Sequence, residues 1–320
     1  MIPLEAIQRA RATIAGRVVR TPLVPLELGE LPGELYLKLE NLQPIGSFKL
    51  RGALNAIAQV PGEELAAGVV TASAGNMGQG VAWAARELGV PCSVVVPEGA
   101  AATKLAAIER LGGRVVEVAH ERWWQALVDS SYPELDGVFV HPVRDERVMA
   151  GNGTIGLELL EDLPEPDIVL VPFGGGGLSV GIASAVKALR PETQVFGVEP
   201  ESGAPLTASF AAGEPREVDY RPSFVDGSGA PALLAKMWTL ARGVLDGAFA
   251  VPLETTAEAV RLLATRAHVV AEGAGALALG AALDRGVAGS RIVCVVSGGN
   301  IDVPRLAAIL EGETPPASVA

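Results

Sequence analysis

The segment ENLQPIGSFKLRGA, residues 40–53, places a lysine where it could act as a nucleophile. Lys49 stands directly before a helix-like run at residues 50–60, and Phe48 can shield its amine from bulk water. Desolvation disfavours an ammonium group, so a shielded lysine has a lowered pKa. A neutral amine can form a Schiff base with an aldehyde cofactor. A lone lysine is more often a solvated residue at a helix start, so this interpretation depends on the other motifs.

Four consecutive glycines, Gly174, Gly175, Gly176 and Gly177, lie between the apolar run IVLVP and a predicted helix at 178–189. Glycine lets consecutive backbone N–H groups turn toward one anion, and the helix dipole adds to the attraction. The pattern therefore favours a phosphate, with a merely flexible turn as the alternative. It is not a GxGxxG fingerprint, which argues against a dinucleotide.

A second turn, TASAGNMGQG at residues 71–80, also follows a strand-like run and opens a helix. The first N–H groups of a helix have no partner within the helix and favour an anion. We expect a substrate carboxylate to bind there, at Ser73, Ala74, Gly75 and Asn76. The alternative is an ordinary helix start that Ser73 or Asn76 caps.

A third turn, Ser297-Gly298-Gly299-Asn300, ends the strand-like run 292–296. A hydroxyl at a strand end can bond a ring nitrogen, but unlike an aspartate it cannot keep that nitrogen protonated. The electron sink is then weaker, which favours expulsion of a β leaving group. Taken alone, such a turn is common. Glu272 is most simply a carboxylate that interacts with a helix dipole.

The lysine segment resembles the cofactor motif of the serine/threonine dehydratases, a branch of the fold type II pyridoxal phosphate enzymes, and the similarity covers residues 21–302. The resemblance implies that Lys49, with Phe48 beside it, carries pyridoxal 5'-phosphate. It implies that the four glycines cradle the phosphate, that Ser297 bonds the ring nitrogen and that Glu272 lies near the cofactor. It also implies that Ser73, Ala74, Gly75 and Asn76 hold the substrate carboxylate, with Asn76 bonding the cofactor's 3-hydroxyl as well.

The implied reaction is a β-elimination from a β-hydroxy amino acid. L-threonine or L-serine would give 2-oxobutanoate or pyruvate plus ammonia, with Lys49 removing the Cα proton and the cofactor phosphate protonating the leaving hydroxyl. Two positions depart from the family: Met77 stands where histidine is frequent, and Ala74 where related serine racemases have serine. Because a methyl group cannot exchange a proton, racemisation is disfavoured. A racemase or a β-replacement synthase of the same fold, and a non-catalytic phosphate-ligand-binding protein, remain as alternatives.

No metal site is expected. Glu199 matches a cation ligand of some relatives, but their second acidic ligand falls at Pro205, which has no side-chain oxygen. The histidines, at 120, 141 and 268, have no metal spacing. Cys92 and Cys294 lie in apolar runs and are predicted to be buried. Trp123 and Trp124 are predicted to be packing residues.

The elements around these motifs alternate between short apolar strands and helices from Gly68 onward. Such alternation indicates parallel sheets that helices cover on both faces. The prediction is an α/β fold with two open parallel-sheet domains, like the tryptophan synthase β-subunit by resemblance. A small domain at 45–143 is inserted into a large one at 1–44 and 144–320. Ligands of such sheets bind at the carboxyl ends of strands, where all three turns fall.

Local patterns predict a helix at 151–161, an irregular stretch at 214–230, and helices at 233–241 and 257–268 with no strand between them. The segment 226–238 is expected to line the substrate pocket. Of the 320 residues, 49% are hydrophobic and the net charge is −12. There is no basic tract for nucleic acid, no signal peptide and no apolar run of about 18 residues that could span a membrane. The expected protein is cytoplasmic, binds a small amino acid substrate and, by resemblance, is a homodimer.

Overall fold

The computed structural model describes residues 1–29, 33–285 and 290–316. Within these residues the helices are α1 (Leu4–Ile14), α2 (Lys49–Ala58), α3 (Asn76–Leu88), α4 (Ala102–Arg110), α5 (His120–Asp129), α6 (Glu146–Asp162), α7 (Gly177–Leu189), α8 (Pro205–Ala212), α9 (Ala235–Arg242), α10 (Leu253–Thr265), α11 (Gly273–Arg285) and α12 (Val303–Leu310). The strands are β1 (Leu23–Leu26), β2 (Glu34–Leu39), β3 (Val69–Ala72), β4 (Cys92–Pro97), β5 (Arg114–Val118), β6 (Val138–Phe139), β7 (Ile168–Pro172), β8 (Gln194–Pro200), β9 (Gly247–Val251) and β10 (Arg291–Val296).

These strands form two sheets. The large sheet has the order β1-β2-β10-β7-β8-β9, and only its edge strand β1 is antiparallel to its neighbour. The small sheet has the order β5-β4-β3-β6 and is parallel throughout. Its four strands all come between β2 and β7 in the chain, so the small sheet is an insertion. The predicted fold class, two open α/β sheets, is confirmed, while the domain limits 1–44, 45–143 and 144–320 remain a prediction.

The large sheet is buried on both faces, which explains its continuous apolar strands. Every residue of β7 is buried, and so are five of the six residues of β10. Helices α6 and α7 pack on one face of this sheet, and α10 and α11 on the other. Cys92 and Cys294 are buried free thiols, as predicted, and burial raises the pKa of each to about 12.

Several elements differ from the sequence prediction. The helix predicted at 257–268 is α10, Leu253–Thr265, and the one predicted at 233–241 is α9, Ala235–Arg242. Helix α6 begins at Glu146 rather than at 151, because the Asp145 side chain accepts a hydrogen bond from Arg147 N at 2.9 Å and caps an earlier turn. Helix α8 and strand β9 were not predicted. Trp124 is not a packing residue, since 55% of it is exposed. Among the residues described, no helix has both the length and the apolarity to cross a bilayer.

Candidate active site

The carboxyl end of β10 holds the segment that presents Lys49. Ser47 forms an antiparallel bridge with Gly298. Phe48 N donates to Ser297 O at 3.1 Å, and Gly299 N donates to Gly46 O at 2.8 Å. Helix α2 begins at Lys49 directly after this attachment. The lysine of one predicted motif is therefore fixed against the turn of another.

Glycines on two helices allow a close approach to the first turn of α2. A Cβ added at Gly80 of α3 would lie 3.1 Å from the Lys49 carbonyl carbon. A Cβ at Gly151 of α6 would lie 2.5 Å from Arg51 O. Real Cβ atoms do not approach backbone at the second distance, so glycine is required there. These contacts leave the start of α2 little room to shift.

The Lys49 amine lies partly buried, 4.8 Å from the centre of the Phe48 ring. Burial lowers its pKa to about 8, with Glu272 opposing part of that shift. Lys38, Lys104, Lys187 and Lys236 each form an ion pair. Among the described residues, Lys49 is the lysine for which no such pair is found, so its amine is available for chemistry.

At three of the four glycines, Gly174, Gly175 and Gly176, a larger residue would crowd a neighbour or strain the backbone of the turn. Gly176 has φ +90°, in the left-handed region that favours glycine. A Cβ at Gly175 would lie 2.4 Å from Val143 Cγ2, and one at Gly174 would lie 3.1 Å from Gly227 O. Helix α7 starts at Gly177 without a side-chain cap. Its first N–H groups therefore suit an anion.

One cavity brings the predicted cofactor residues together. Its lining includes Phe48, Lys49, Asn76, Gly174, Gly175, Gly176, Gly177, Glu272 and Ser297. Ser297 Oγ makes only a long bond of 3.4 Å, to Ala274 O, so its hydroxyl can turn toward another partner. Burial and the nearby Asp226 raise the pKa of Glu272 to about 7.

Asn76 is held in one orientation at the edge of this cavity. Its Nδ2 donates to Glu272 Oε1 at 2.7 Å, and its Oδ1 accepts from Asn300 Nδ2 at 2.7 Å. Asn300 also donates to Ile45 O at 2.9 Å. The amide of Asn76 is thereby linked to the turn after β10.

The turn after β3 is partly exposed and begins a helix without a side-chain cap, with Gly75 at the N-cap position. The alternative of an ordinary helix start capped by Ser73 or Asn76 is therefore wrong. The backbone N–H of Ser73 already donates to Val95 O at 3.0 Å. The hydrogen-bond donor that Ser73 can offer to an anion is therefore its hydroxyl. Ser73 Oγ accepts from Gly75 N at 3.2 Å. Gly75 and Asn76 line a neighbouring polar cavity; Ser73 and Ala74 lie just before them on the same turn.

Residues 14–298 match the family model described as "Pyridoxal-phosphate dependent enzyme". The chain belongs to this family. It is 43% identical over 309 residues to the L-threonine ammonia-lyase of Thermotoga maritima, and the match covers 95% of this chain and 77% of that protein. Among solved structures, the threonine deaminase of the organism abbreviated T.th. superposes with a TM-score of 0.87 at 38% identity, covering 93% of this chain and 98% of that one. Maize serine racemase superposes with a TM-score of 0.88 at 32% identity, covering 96% of each chain.

The cavity of this pyridoxal phosphate enzyme fits its cofactor. A phosphate needs close backbone approach and free N–H groups, and the turn at Gly174–Gly177 supplies both. An aldehyde needs a neutral amine, which the lowered pKa of Lys49 provides. A pyridine nitrogen needs one hydrogen-bonding group, and Ser297 Oγ is free to turn toward it.

Sequence reasoning gave no individual role to several residues around the site, although Ser228 falls in the segment 226–238 that was expected to line the substrate pocket. Ser228 donates its hydroxyl to Phe173 O and lines the cofactor cavity. His141 Nδ1 accepts from Val143 N at 3.0 Å and from Arg144 N at 2.9 Å, which shapes the wall beside Gly175. No local pattern marks these residues, because their partners are set by tertiary contacts or by a loop conformation.

Glu199 has a different environment from that of a cation ligand. Its carboxylate accepts from Leu206 N at 3.0 Å, from Thr207 N at 2.8 Å and from Thr207 Oγ1 at 2.9 Å. These donors belong to the first turn of α8, where Pro205 is the first residue. Among the described residues, no group of three or more histidines, cysteines or carboxylates could hold a metal ion.

Proposed function

We propose that this protein is a pyridoxal phosphate-dependent ammonia-lyase that removes the β-hydroxyl and the amino group of L-threonine or L-serine. The products are 2-oxobutanoate or pyruvate, plus ammonia. The observation that carries the proposal is the arrangement of the Lys49 amine, the four-glycine turn and the Ser297 hydroxyl around one cavity. The names of the similar enzymes support the same reaction.

Each residue of the site has a proposed role. The N–H groups at Gly174–Gly177 bind the phosphate, and Ser297 Oγ bonds the ring nitrogen. The turn from Ser73 to Asn76 binds the substrate carboxylate, and Asn76, oriented by Glu272 and Asn300, bonds the cofactor's 3-hydroxyl. When bound, the cofactor supplies a conjugated ring that takes up the electrons left at Cα. Lys49 Nζ removes the Cα proton, because its lowered pKa leaves a far larger neutral fraction near neutral pH than an ordinary lysine has.

Ring-nitrogen chemistry favours elimination over slower alternatives. Ser297 is neutral, and no negative charge on it would keep the pyridine nitrogen protonated. The electrons at Cα are therefore best discharged by loss of a β leaving group. A carboxylate at the position of Ser297 would have favoured a longer-lived carbanion and a wider range of reactions.

Racemisation is the second candidate, since a serine racemase is among the similar structures. Inversion at Cα needs a proton donor on the face opposite Lys49. The turn after β3 offers a methyl group at Ala74, and a methyl group cannot donate a proton. This absence supports the lyase.

The test is a product assay on the purified holoenzyme. With L-serine and with L-threonine we expect 2-oxo acid and ammonia in equal amounts. Formation of D-serine without pyruvate would support a racemase, and cysteine from O-acetylserine plus sulfide would support a β-replacement synthase. A colourless protein that binds no cofactor would support a non-catalytic ligand-binding protein. We further propose a cytoplasmic homodimer that binds neither nucleic acid nor membrane, which size measurement and fractionation would test.

A further inference from the structure

A second cavity opens beside the phosphate end of the cofactor cavity. It has a volume of about 290 Å³. The two cavities adjoin, because they share six lining residues: Pro142, Val143, Gly174, Gly175, Gly227 and Ser228. We call the part that lies outside the cofactor cavity the apolar annex. Half of the residues that line the second cavity but not the cofactor cavity have large apolar side chains: Trp124, Leu127, Val128, Leu233, Leu234 and Met237.

The position of the annex selects the part of a substrate that can reach it. The carboxylate of an amino acid is assigned to the turn at Ser73–Asn76, and none of those residues lines the annex. The amine is assigned to the cofactor at Lys49. Only the β-substituent is left to extend toward the annex, whose cavity includes Gly174 and Gly175 of the phosphate turn in its lining.

The chemistry of the walls favours an apolar substituent. Three of the large side chains are substantially exposed, with Trp124 at 55%, Val128 at 41% and Leu234 at 37%. The two charged side chains there each make a hydrogen bond within the protein. Arg144 Nη1 donates to Val128 O at 2.7 Å, and Asp226 accepts from Lys104 Nζ at 2.7 Å. Apolar surface left open to water is stabilised when a ligand covers it.

The size of the annex sets the scale of that substituent. An apolar cavity of about 150 Å³ holds a benzene molecule. The second cavity, at about 290 Å³, is almost twice that size, so its annex has room for a phenyl ring or a branched alkyl group. The methyl group of threonine would leave most of it empty.

We propose that the annex binds apolar β-substituents larger than methyl, so that the enzyme also acts on β-aryl and branched β-alkyl β-hydroxy-α-amino acids. The proposal rests on the lyase function above. With β-phenylserine, the Cα–H and Cβ–O bonds break and water leaves. Solvent water then hydrolyses the resulting C=N bond, giving phenylpyruvate and ammonia, so no oxidant or further reactant is needed.

The proposal is tested by measuring steady-state kcat/KM for 2-oxo acid formation. The four substrates are L-threonine and the L-threo isomers of β-phenylserine, β-hydroxyleucine and β-hydroxyaspartate. We expect kcat/KM for phenylserine and for hydroxyleucine to be no more than about tenfold below the value for threonine, and it can exceed that value. Values lower by more than about tenfold, or a preference for hydroxyaspartate, would overturn the proposal. Turnover of threonine in the same experiment keeps the lyase function intact when the annex proposal fails.

A bulky substitution in the annex provides the second arm. Ala232 is exposed and lines the annex, so Ala232→Phe narrows it without disturbing the core. We expect this variant to lower the ratio of kcat/KM for phenylserine to that for serine by about tenfold or more. The matched control Ala212→Phe, at the exposed end of α8, should leave the ratio unchanged. An unchanged ratio in Ala232→Phe would contradict the assignment.

Binding of unreactive amino acids separates the two proposals completely. L-phenylalanine and L-alanine differ by a phenyl group on Cβ and carry no leaving hydroxyl. Their dissociation constants, read from the cofactor's absorbance, should favour phenylalanine in the wild type and lose that preference in Ala232→Phe. Equal affinities in the wild type would refute the annex, whether or not any substrate is turned over.

Discussion

Two residues after Lys49, Arg51 lies fully buried in a cluster of four charges that should be essential for folding. Its guanidinium makes six hydrogen bonds, four of them to the carboxylates of Glu40 and Glu158. Lys38 adds a second buried cation, 2.8 Å from Glu158. The four charges sum to zero. The cluster ties α2 to the end of β2 and to α6, and so it positions the helix that begins at Lys49.

Replacing Arg51 with methionine should destabilise the protein by about 3–5 kcal/mol, because one carboxylate is then buried without a partner. The assay is urea unfolding of the wild type and the variant at about pH 7, followed by circular dichroism. Arg51→Lys, which keeps the charge but loses the planar fork, should fall between them. Arg51→Met combined with Glu40→Gln removes one charge of each sign and should recover part of the loss. A loss below about 1 kcal/mol for Arg51→Met would refute the reasoning.

The destabilisation caused by Arg51→Met should also depend on pH, in a direction that the pKa of Glu40 sets. Burial alone would raise the pKa of Glu40, but Arg51, Thr21 and Lys38 together bring it below its ordinary value of 4.5. A carboxyl whose pKa is lowered on folding contributes stability that is present above its unfolded pKa and lost as pH falls through the folded pKa. Arg51→Met lacks this contribution. The gap between the wild type and the variant should therefore be larger at about pH 7 than at about pH 4, and a gap that widens in acid would contradict the account.

Three further predictions concern the site itself. Gly175→Ala should weaken cofactor binding, measured by dialysis, by about tenfold or more, since overpacking against Val143 costs about 1–3 kcal/mol. Adding Val143→Ala to this variant should restore much of the affinity. If it restores none, the clash between the new methyl group and Val143 is not the cause. In cofactor-free protein, Lys49 should react with an amine reagent half-maximally near pH 8, because burial favours its neutral form; a midpoint near 10.5 would be contrary to this. Prolonged chelation should leave activity unchanged, because Glu199 already accepts three protein hydrogen bonds; activity that falls and returns with a divalent cation would contradict this.

Much of the fold could be predicted from local patterns. Buried parallel strands such as β7 and β10 are continuous apolar runs, and each ends at a glycine-rich turn that punctuates the chain. The helix predicted at 178–189 is α7, Gly177–Leu189, so its bounds were predicted to within one residue. Because parallel strands point the same way, turns that are distant in the chain meet at one edge of a sheet.

The elements that were missed depend on tertiary contacts. Helix α8 is stabilised by Glu199, a residue of β8 that lies outside the helix, and its sequence has no clear apolar period. Strand β9 is an edge strand whose first four residues are only partly buried. Its apolar run, GAFAV, is short and was not recognised as a strand. The earlier start of α6 could have been predicted, because Asp145 is a common N-cap residue.

The candidate site also contains residues that the sequence reveals and residues that only the folded structure reveals. Lys49, the four glycines and Ser297 are visible because their chemistry requires particular residue types at strand ends. The groups that orient them are ordinary residues, among them Asn300 and Arg51, and only the folded chain brings them close. The apolar annex is likewise a product of tertiary structure, since Trp124 and Leu233 lie far apart in the sequence.

The most direct test of the whole account is a peptide map of the holoprotein after borohydride reduction. We predict that the cofactor is found on Lys49, whose amine is partly buried, has a lowered pKa and lines the cavity with the four glycines. The other lysines, Lys38, Lys104, Lys187 and Lys236, are held in ion pairs. Label on any of these four instead of Lys49 would contradict the assignment of the active site.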